Sequence, residues 1–334
     1  MITKFYLLKK VIATTLSVAL FAPFAYTQAA TTLTLAHAHP VDDSQHLAAL
    51  RFAERVKERS GDEINIRIFP NGQLGNDQAM ITGVRSGTID IELSGNPYFS
   101  GLASQLSLLD LPFLFDNYDQ AYRVLDGEIG LNLLTSMREK NLEGLAFWEI
   151  GFRNLINSRR AIESANDIKG LKLRTTPNPV HIAAFEALGA NPVPMPFAEL
   201  FTALETRTVD GQENPVSLIR SASLYDVQKH LSLTAHAYTA APLVMNKNRF
   251  SELSEEQQLI LRDEAQSAAQ YQRQINQERI SSDLEFLKNK GMQVAEQPDR
   301  ASMHGRVAEL VRNEFTAQHG SELLDAVERT KYTN

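Results

Sequence analysis

Cysteine is absent from the 334-residue chain. The protein therefore has no disulfide bond, no thiolate nucleophile and no cysteine-ligated zinc site. The sequence also lacks a phosphate-binding loop, a dinucleotide-binding glycine fingerprint and a nucleophile elbow. The apolar run at the N terminus, residues 11–25, is shorter than the roughly 20 residues that a membrane-spanning helix needs.

The N-terminal segment has the pattern of a targeting signal. Lys4, Lys9 and Lys10 precede the apolar run, and residues 27–29 offer small side chains for cleavage. A basic start, a short apolar core and a small-residue cleavage site are typical of a secretory signal peptide. We predict that residues 1–29 are a cleaved signal peptide and that the mature protein is periplasmic. The alternative is an uncleaved anchor or a buried N-terminal helix.

Basic residues are fewer than acidic ones. The chain has 33 Lys and Arg against 40 Asp and Glu, and removing residues 1–29 removes three lysines, which leaves 30 against 40, a net charge of −10. Such a charge argues against nucleic acid or an anionic membrane as a partner. An anionic ligand would have to be captured by local arginines. The remaining chain of about 305 residues is long for a single core, so we expect two lobes.

Residues 171–215 indicate the fold class and a site. The alternation of apolar and basic residues before Arg174 has the period of a strand, and Asn178 followed by proline is a helix start. Further strands are predicted to end near Phe197 and at Asn214. This order of strands and helices predicts an α/β fold, in which ligands bind at the carboxyl ends of the strands.

Three blocks of this stretch, residues 170–174, 194–199 and 209–215, resemble the DctP-type solute-binding proteins in letters, order and spacing. Those proteins are the extracytoplasmic receptors of TRAP (tripartite ATP-independent periplasmic) transporters. The likeness extends over residues 33–322. It implies a two-lobed periplasmic-binding-protein fold, a ligand cleft between the lobes and a long helix spanning both. It also implies a protein without enzymatic activity or cofactor, whose partners are an organic acid and the TRAP membrane permease.

Residues 255–290 contain neither proline nor glycine and follow a capping box at Ser254. A helix of this length would reach roughly 54 Å, which fits the spanning helix that the resemblance implies. The predicted lobes are residues 30–151 with 240–279, and residues 152–239 with 280–334.

The arginines carry the predicted binding chemistry. A guanidinium group matches a carboxylate with two parallel donors. The resemblance implies that Arg174 clamps the ligand carboxylate, that Arg153 is a second basic contact, and that Asn214 donates to the carboxylate or to a hydroxyl. The alternatives are a surface ion pair for Arg174, a shifted match to a neighbouring arginine for Arg153, and a helix cap for Asn214.

Five further residues complete the predicted ligand-binding set. Phe197 would supply an apolar wall, unless it belongs to the core. His37 and Asn96 stand at predicted strand ends in the first lobe, and by resemblance those positions face the ligand. Asp77 and Tyr238 are the last two candidates.

The same residues are also compatible with other functions. A periplasmic hydrolase could use His37 with an acidic residue, and Asp210 and Glu213 are available carboxylates, although by resemblance those two are framework residues. The pair His37 and His39 could begin a metal site, but no further histidine cluster completes it. A binding subunit that signals instead of transporting is a third possibility.

The ligand class follows from two more blocks. Residues 95–101 and 109–115 look more like receptors for sugar acids such as uronates than receptors for C4-dicarboxylates. We therefore expect a small organic acid, and among these a sugar acid. A receptor for a C4-dicarboxylate or another carboxylate stays open as the alternative.

Overall fold

The computed structural model describes residues 30–332, so the predicted signal peptide, residues 1–29, lies outside the described residues. The strands are β1 (Thr31–His37), β2 (Ile64–Phe69), β3 (Ile91–Leu93), β4 (Leu142–Asn157), β5 (Lys172–Thr175), β6 (Asn191–Pro194), β7 (Gly211–Asn214), β8 (His230–Asn246) and β9 (Gln293–Ala295). The α-helices are α1 (Ser44–Arg59), α2 (Asp77–Ser86), α3 (Tyr118–Leu125), α4 (Glu128–Ser136), α5 (Pro179–Ala187), α6 (Leu200–Glu205), α7 (Val216–Ser221), α8 (Lys247–Ser251), α9 (Glu255–Asn289), α10 (Arg300–His319) and α11 (Glu322–Thr330).

One sheet connects all of these strands, in the order β2-β1-β3-β8-β4-β7-β5-β6, and β9 pairs with β8. At one side β1 pairs in parallel with β2 and β3, and at the other β5 pairs in parallel with β6 and β7. Between these two parallel groups, β4 and β8 form a long antiparallel pair. The result is a two-lobed α/β fold, as predicted, in which two strands run through both lobes.

The strands that join the lobes change register in their middle. Pairing between β4 and β8 shifts between Glu149 and Gly151, and Gly151 has φ +114°, a conformation that side chains disfavour. On one side of this point β8 pairs with β3, and on the other β4 pairs with β7. The sequence pattern of residues 231–238 and of residues 242–246 predicts a separate strand in each segment, whereas the structure has the single strand β8.

Helix α9 is the long helix that the sequence predicted. It starts after a complete capping box at Ser254 and runs for 35 residues. Its buried face includes Ala265, whose carbonyl accepts a 2.9 Å hydrogen bond from the indole of Trp148 on β4. The helix is therefore fixed to the strand pair that joins the lobes. No helix among residues 30–332 is both long enough and apolar enough to cross a membrane.

Two apolar clusters each belong to one lobe, one with Leu33 and Trp148 beneath β1 and β3 and one with Ile156 beneath β7. A third cluster, which contains Leu106 and Leu173, continues through both lobes. The carboxyl ends of the parallel strands of both groups point towards the space between the lobes, where open α/β sheets bind ligands.

Candidate ligand-binding site

A small, narrow cavity lies where the strand ends of the two lobes meet. Its lining contains polar, charged and apolar residues from both parallel groups and from β4 and β8: His39, Asp77, Gly95, Pro97, Tyr98, Ile150, Arg153, Arg174, Thr176, Phe197, Asn214, Leu218 and Thr239. Five residues predicted from the sequence thus come together here: Arg174, Arg153, Asn214, Phe197 and Asp77.

Arg174 lies on β5 and is 1% exposed, so it is not a surface ion pair. Its Nε and Nη2 donate to the carbonyl oxygen of Met195 at 3.0 and 2.7 Å, and Nη2 also donates to the Tyr98 hydroxyl at 3.1 Å. Within residues 30–332 no carboxylate forms an ion pair with this guanidinium. A buried cation whose partners are all neutral is costly unless an anion joins it. The guanidinium of Arg174 can therefore take an anion as its ion-pair partner.

Arg153 on β4 is buried too, but its charge is already paired. Its guanidinium forms a bidentate ion pair with Glu213, donates to the Glu213 carbonyl at 2.6 Å and donates to Thr239 Oγ1 at 3.2 Å. Although burial favours the neutral acid, Arg153 and a contact with His236 hold the pKa of Glu213 well below its usual range. The Arg153–Glu213 pair has a net charge of nearly zero, so Arg153 would attract an anion less strongly than Arg174.

Asn214 ends β7 and lines the cavity without capping a helix. Its Nδ2 donates to Gln212 Oε1 at 2.6 Å, and α7 begins after Pro215 with no side-chain cap. Asn178 differs, because its side chain accepts from the backbone N–H of His181 and caps α5. The capping alternative for Asn214 is therefore wrong, whereas the predicted cap at Asn178 is confirmed.

Phe197 begins the 3-10 helix Phe197–Glu199 and forms part of both the cavity wall and the core. Its ring centroid lies 5.6 Å from that of His39. His39 lines the cavity as well, although the sequence pattern suggested it only as a metal ligand. His39 Nδ1 lies 3.0 Å from Asp43 Oδ1, and although burial opposes ionisation, His39 helps to lower the pKa of Asp43. In the described part of the chain no group of three or more side chains could hold a metal ion.

Asp77 occupies the first turn of α2, which Asn76 caps. Its Oδ1 accepts from Ser94 Oγ at 3.0 Å, whereas its Oδ2 is buried without a protein partner. Burial raises the pKa of Asp77, although Ser94, His39 and Arg174 act in the opposite direction. A carboxylate oxygen with no protein donor is an acceptor available to a ligand.

The structure does not bring the other three predicted residues to the cavity. His37 lies in the interior with its Nε2 3.1 Å from His46 Nδ1, and burial lowers its pKa to about 3. The Asn96 amide donates to the Leu106 carbonyl and to Asp110 Oδ1 in the 3-10 helix Ser104–Asp110. The Tyr238 hydroxyl donates to Glu149 at 2.9 Å on the opposite side of β8. These side chains support the wall from behind.

Tyr98 is the main cavity residue that sequence reasoning missed. It lies in the 3-10 helix Asn96–Tyr98, which directs its hydroxyl to Arg174, and burial keeps it neutral by raising its pKa. The Asn-Pro pair after a predicted strand end was a usable signal, because a turn there carries the next side chain back to the strand ends.

Known proteins are similar to this chain in fold and in sequence. The DctP family profile, described as bacterial extracellular solute-binding protein, family 7, matches residues 35–318. The 2,3-diketo-L-gulonate-binding periplasmic protein YiaO of Escherichia coli K12 is 45% identical over 291 residues, which cover 86% of this chain and 89% of that protein.

Two solved structures are similar over nearly their whole length. A TRAP periplasmic solute-binding protein from Polaromonas sp. JS666, bound to D-erythronate, has a TM-score of 0.87 and 37% identity, covering 89% of this chain and 98% of that one. The sugar acid binding protein DctPAm from Advenella mimigardefordensis, in complex with galactonate, has a TM-score of 0.87 and 37% identity, covering 91% and 98%. The chain belongs to the DctP family of bacterial extracellular solute-binding proteins, which are binding proteins and not enzymes, as its motifs predict.

Proposed function

We propose that this TRAP-type solute receptor binds a sugar acid, with the ligand carboxylate on Arg174, and delivers it to a membrane permease. The observation that carries the proposal is the buried guanidinium of Arg174, which within residues 30–332 donates only to the neutral oxygens of Met195 and Tyr98. A ligand carboxylate would supply the missing anion. Charge-assisted, desolvated pairs of this kind are among the strong polar contacts of binding sites.

The rest of the lining supports a ligand with hydroxyl groups. Asp77, Thr176 and Asn214 present polar groups to the same cavity, while Phe197 and Ile150 limit its shape. The named relatives bind 2,3-diketo-L-gulonate, D-erythronate and galactonate, each an acid with several other oxygens. Uronates and aldonates both meet these requirements, so the proposal is the class of sugar acids.

We propose lobes with the predicted boundaries, residues 30–151 with 240–279 and residues 152–239 with 280–334. The register shift beside Gly151 supports a hinge there. Side chains of the two proposed lobes meet at the cavity, since Arg174 donates to Tyr98, and Asn178 donates to Asp110 Oδ2 at 2.8 Å. The C-terminal helix α11 packs on α3 of the first lobe, so the last segment connects the lobes as well. Ligand binding would stabilise this closed arrangement.

Delivery requires export and a partner. We propose that residues 1–29 are a cleaved signal peptide, that the receptor works in the periplasm, and that TRAP permease subunits recognise its closed form. The family and the basic, apolar and small-residue pattern of residues 1–29 support this.

A thermal-shift screen of the mature protein tests the proposal. The panel contains uronates, aldonates, sialic acid, C4-dicarboxylates and 2-oxoacids. A ligand at about 100 times its dissociation constant adds about 2.7 kcal/mol of stability, which raises the melting temperature. We expect the largest rise with a sugar acid and none in Arg174→Ala. A rise with C4-dicarboxylates alone would replace the sugar-acid proposal, and no rise with any acid would contradict the receptor function proposed for the cavity.

A further inference from the structure

Three side chains connect the cavity to the buried interior of the first lobe. Ser94, just after β3, has its Oγ 3.0 Å from Asp77 Oδ1 and in hydrogen-bond contact with Glu92 Oε1. All three residues are at most 3% exposed. The second oxygens, Asp77 Oδ2 and Glu92 Oε2, have no protein partner. Asp77 lines the cavity, whereas Glu92 does not.

The number of protons in this chain of contacts is constrained. A serine hydroxyl has one proton, so Ser94 can donate to only one of the two carboxyl groups. If both groups were ionised, one three-centre hydrogen bond would have to serve two buried carboxylates, which is unfavourable, so the other group donates a proton of its own to Ser94 Oγ. At least one of Asp77 and Glu92 is therefore a neutral acid.

The surroundings place this proton on Glu92. Asp77 stands in the first turn of α2, where backbone N–H groups favour a negative charge, and it faces Arg174, His39 and the Tyr98 hydroxyl as well as Ser94. For Glu92, in the middle of the short strand β3, the pKa is set by its burial, by the hydrogen bond from Ser94 and by the charge of Asp77. Burial and the Asp77 charge both raise the pKa of Glu92, and only the Ser94 hydrogen bond lowers it.

The charge of the cavity agrees with this assignment. Arg153 is paired with Glu213, Asp43 lies beside His39, and Asp77 is the carboxylate nearest to Glu92 in this chain of contacts. An ionised Glu92 would add a further buried negative charge next to Asp77 and would oppose an anionic ligand.

We propose that Glu92 is a positioning residue of the binding site. As a neutral acid it donates to Ser94, Ser94 donates to Asp77 Oδ1, and Asp77 Oδ2 accepts a hydroxyl group of the bound acid. This inference rests on the proposed function and deepens it, because the solute must carry a hydroxyl donor in addition to its carboxylate. A dicarboxylate would instead place its second negative charge against Asp77.

The test is isothermal titration of wild type and variants with D-galactonate, D-galacturonate, D-erythronate and succinate. Glu92→Gln replaces the neutral acid by a neutral donor of the same shape, so we expect the tightest hydroxy acid to bind within about threefold of wild type. Glu92→Leu has no donor and should bind about tenfold or more weakly. Asp77→Asn should also lose about tenfold or more for the hydroxy acid and should narrow its preference over succinate.

The pH profile separates positioning from a general structural role. Wild-type affinity should fall as alkaline pH removes the Glu92 proton, whereas Glu92→Gln should lack this fall. The inference is overturned if Glu92→Gln binds as weakly as Glu92→Leu, if Asp77→Asn binds like wild type, or if wild type prefers succinate. If wild type binds none of these acids and Arg174→Ala gives the same titration result as wild type, the proposed function is overturned and not the role of Glu92. Thermal unfolding of each variant without ligand verifies that it folds.

Discussion

Replacing Arg174 by alanine should abolish most acid binding while leaving the unliganded protein folded. The guanidinium is 1% exposed and donates to two neutral oxygens, those of Met195 and Tyr98. Removing one partner of a buried charged pair costs on the order of 2–5 kcal/mol of binding, roughly 30-fold to several thousand-fold in dissociation constant. Isothermal titration with the sugar acid that gives the largest thermal shift measures this loss.

Stability without ligand should behave differently for the two buried arginines. Arg174→Ala removes hydrogen bonds to neutral groups but also removes an unpaired buried cation, so the free energy of unfolding should change by less than about 2 kcal/mol. Arg153→Ala leaves the Glu213 carboxylate buried without its cation and should cost about 3–5 kcal/mol. Urea unfolding of the ligand-free proteins measures both values.

Arg159→Ala is the matched control. Arg159 is exposed and lies 3.8 Å from Asp210, a surface pair expected to contribute about 0–1 kcal/mol. Its loss should change neither binding nor stability noticeably. An affinity of Arg174→Ala within about threefold of wild type would refute the carboxylate clamp. A loss of stability in Arg174→Ala as large as that in Arg153→Ala would refute the distinction between an unpaired and a paired arginine.

Three further predictions concern the framework of the site. The pKa of Glu213 lies below its ordinary value, so the stabilising effect of its ionised form is present above about pH 4.3 and is lost in acid. The difference in unfolding free energy between wild type and Glu213→Gln should therefore shrink as the pH falls towards about 2. A difference that stays constant would contradict this. Gly151→Ala should lower the free energy of unfolding in urea by about 1–3 kcal/mol. The cause is backbone strain alone, because an added Cβ would meet nothing closer than 3.5 Å. Gly101→Ala, a position with open space and no positive φ, should leave the stability unchanged. Trp148→Phe should cost about 2–4 kcal/mol by loss of buried volume and of the hydrogen bond to Ala265; an unchanged melting curve would contradict the role of this contact in fixing α9.

Local signals in the sequence identified much of the fold. The cap at Asn178 and the capping box at Ser254 define helices that the structure contains at those places. The long strand β8 was not predicted as one element because proline usually interrupts a strand. In the structure Pro242 pairs with Phe147 inside β8, where the long partner strand β4 holds the chain extended.

The site was predictable where it depended on strand ends and not where it depended on which face a side chain takes. Arg174 and Asn214 end neighbouring strands, so the parallel arrangement alone brings them together. Tyr238 and Thr239 are adjacent on β8, and successive side chains of a strand point to opposite faces. Thr239 lines the cavity while Tyr238 turns towards Glu149. Which of two such neighbours faces the ligand is decided by strand pairing that spans distant parts of the chain.

The distribution of charge around the cavity favours a hydroxy acid over a dicarboxylate. Arg153 and Glu213 neutralise each other by direct contact, whereas Arg174 and Asp77, among the described residues, form no ion pair with one another. Among the described residues, the cavity therefore presents a guanidinium without an ion-pair partner and a carboxylate oxygen without a protein donor. A second negative charge on the ligand would gain no counter-ion from Arg153, which is already paired with Glu213, and would meet Asp77 instead. A molecule with one carboxylate and several hydroxyl groups would satisfy both groups at once, which supports the proposal that the solute is a sugar acid.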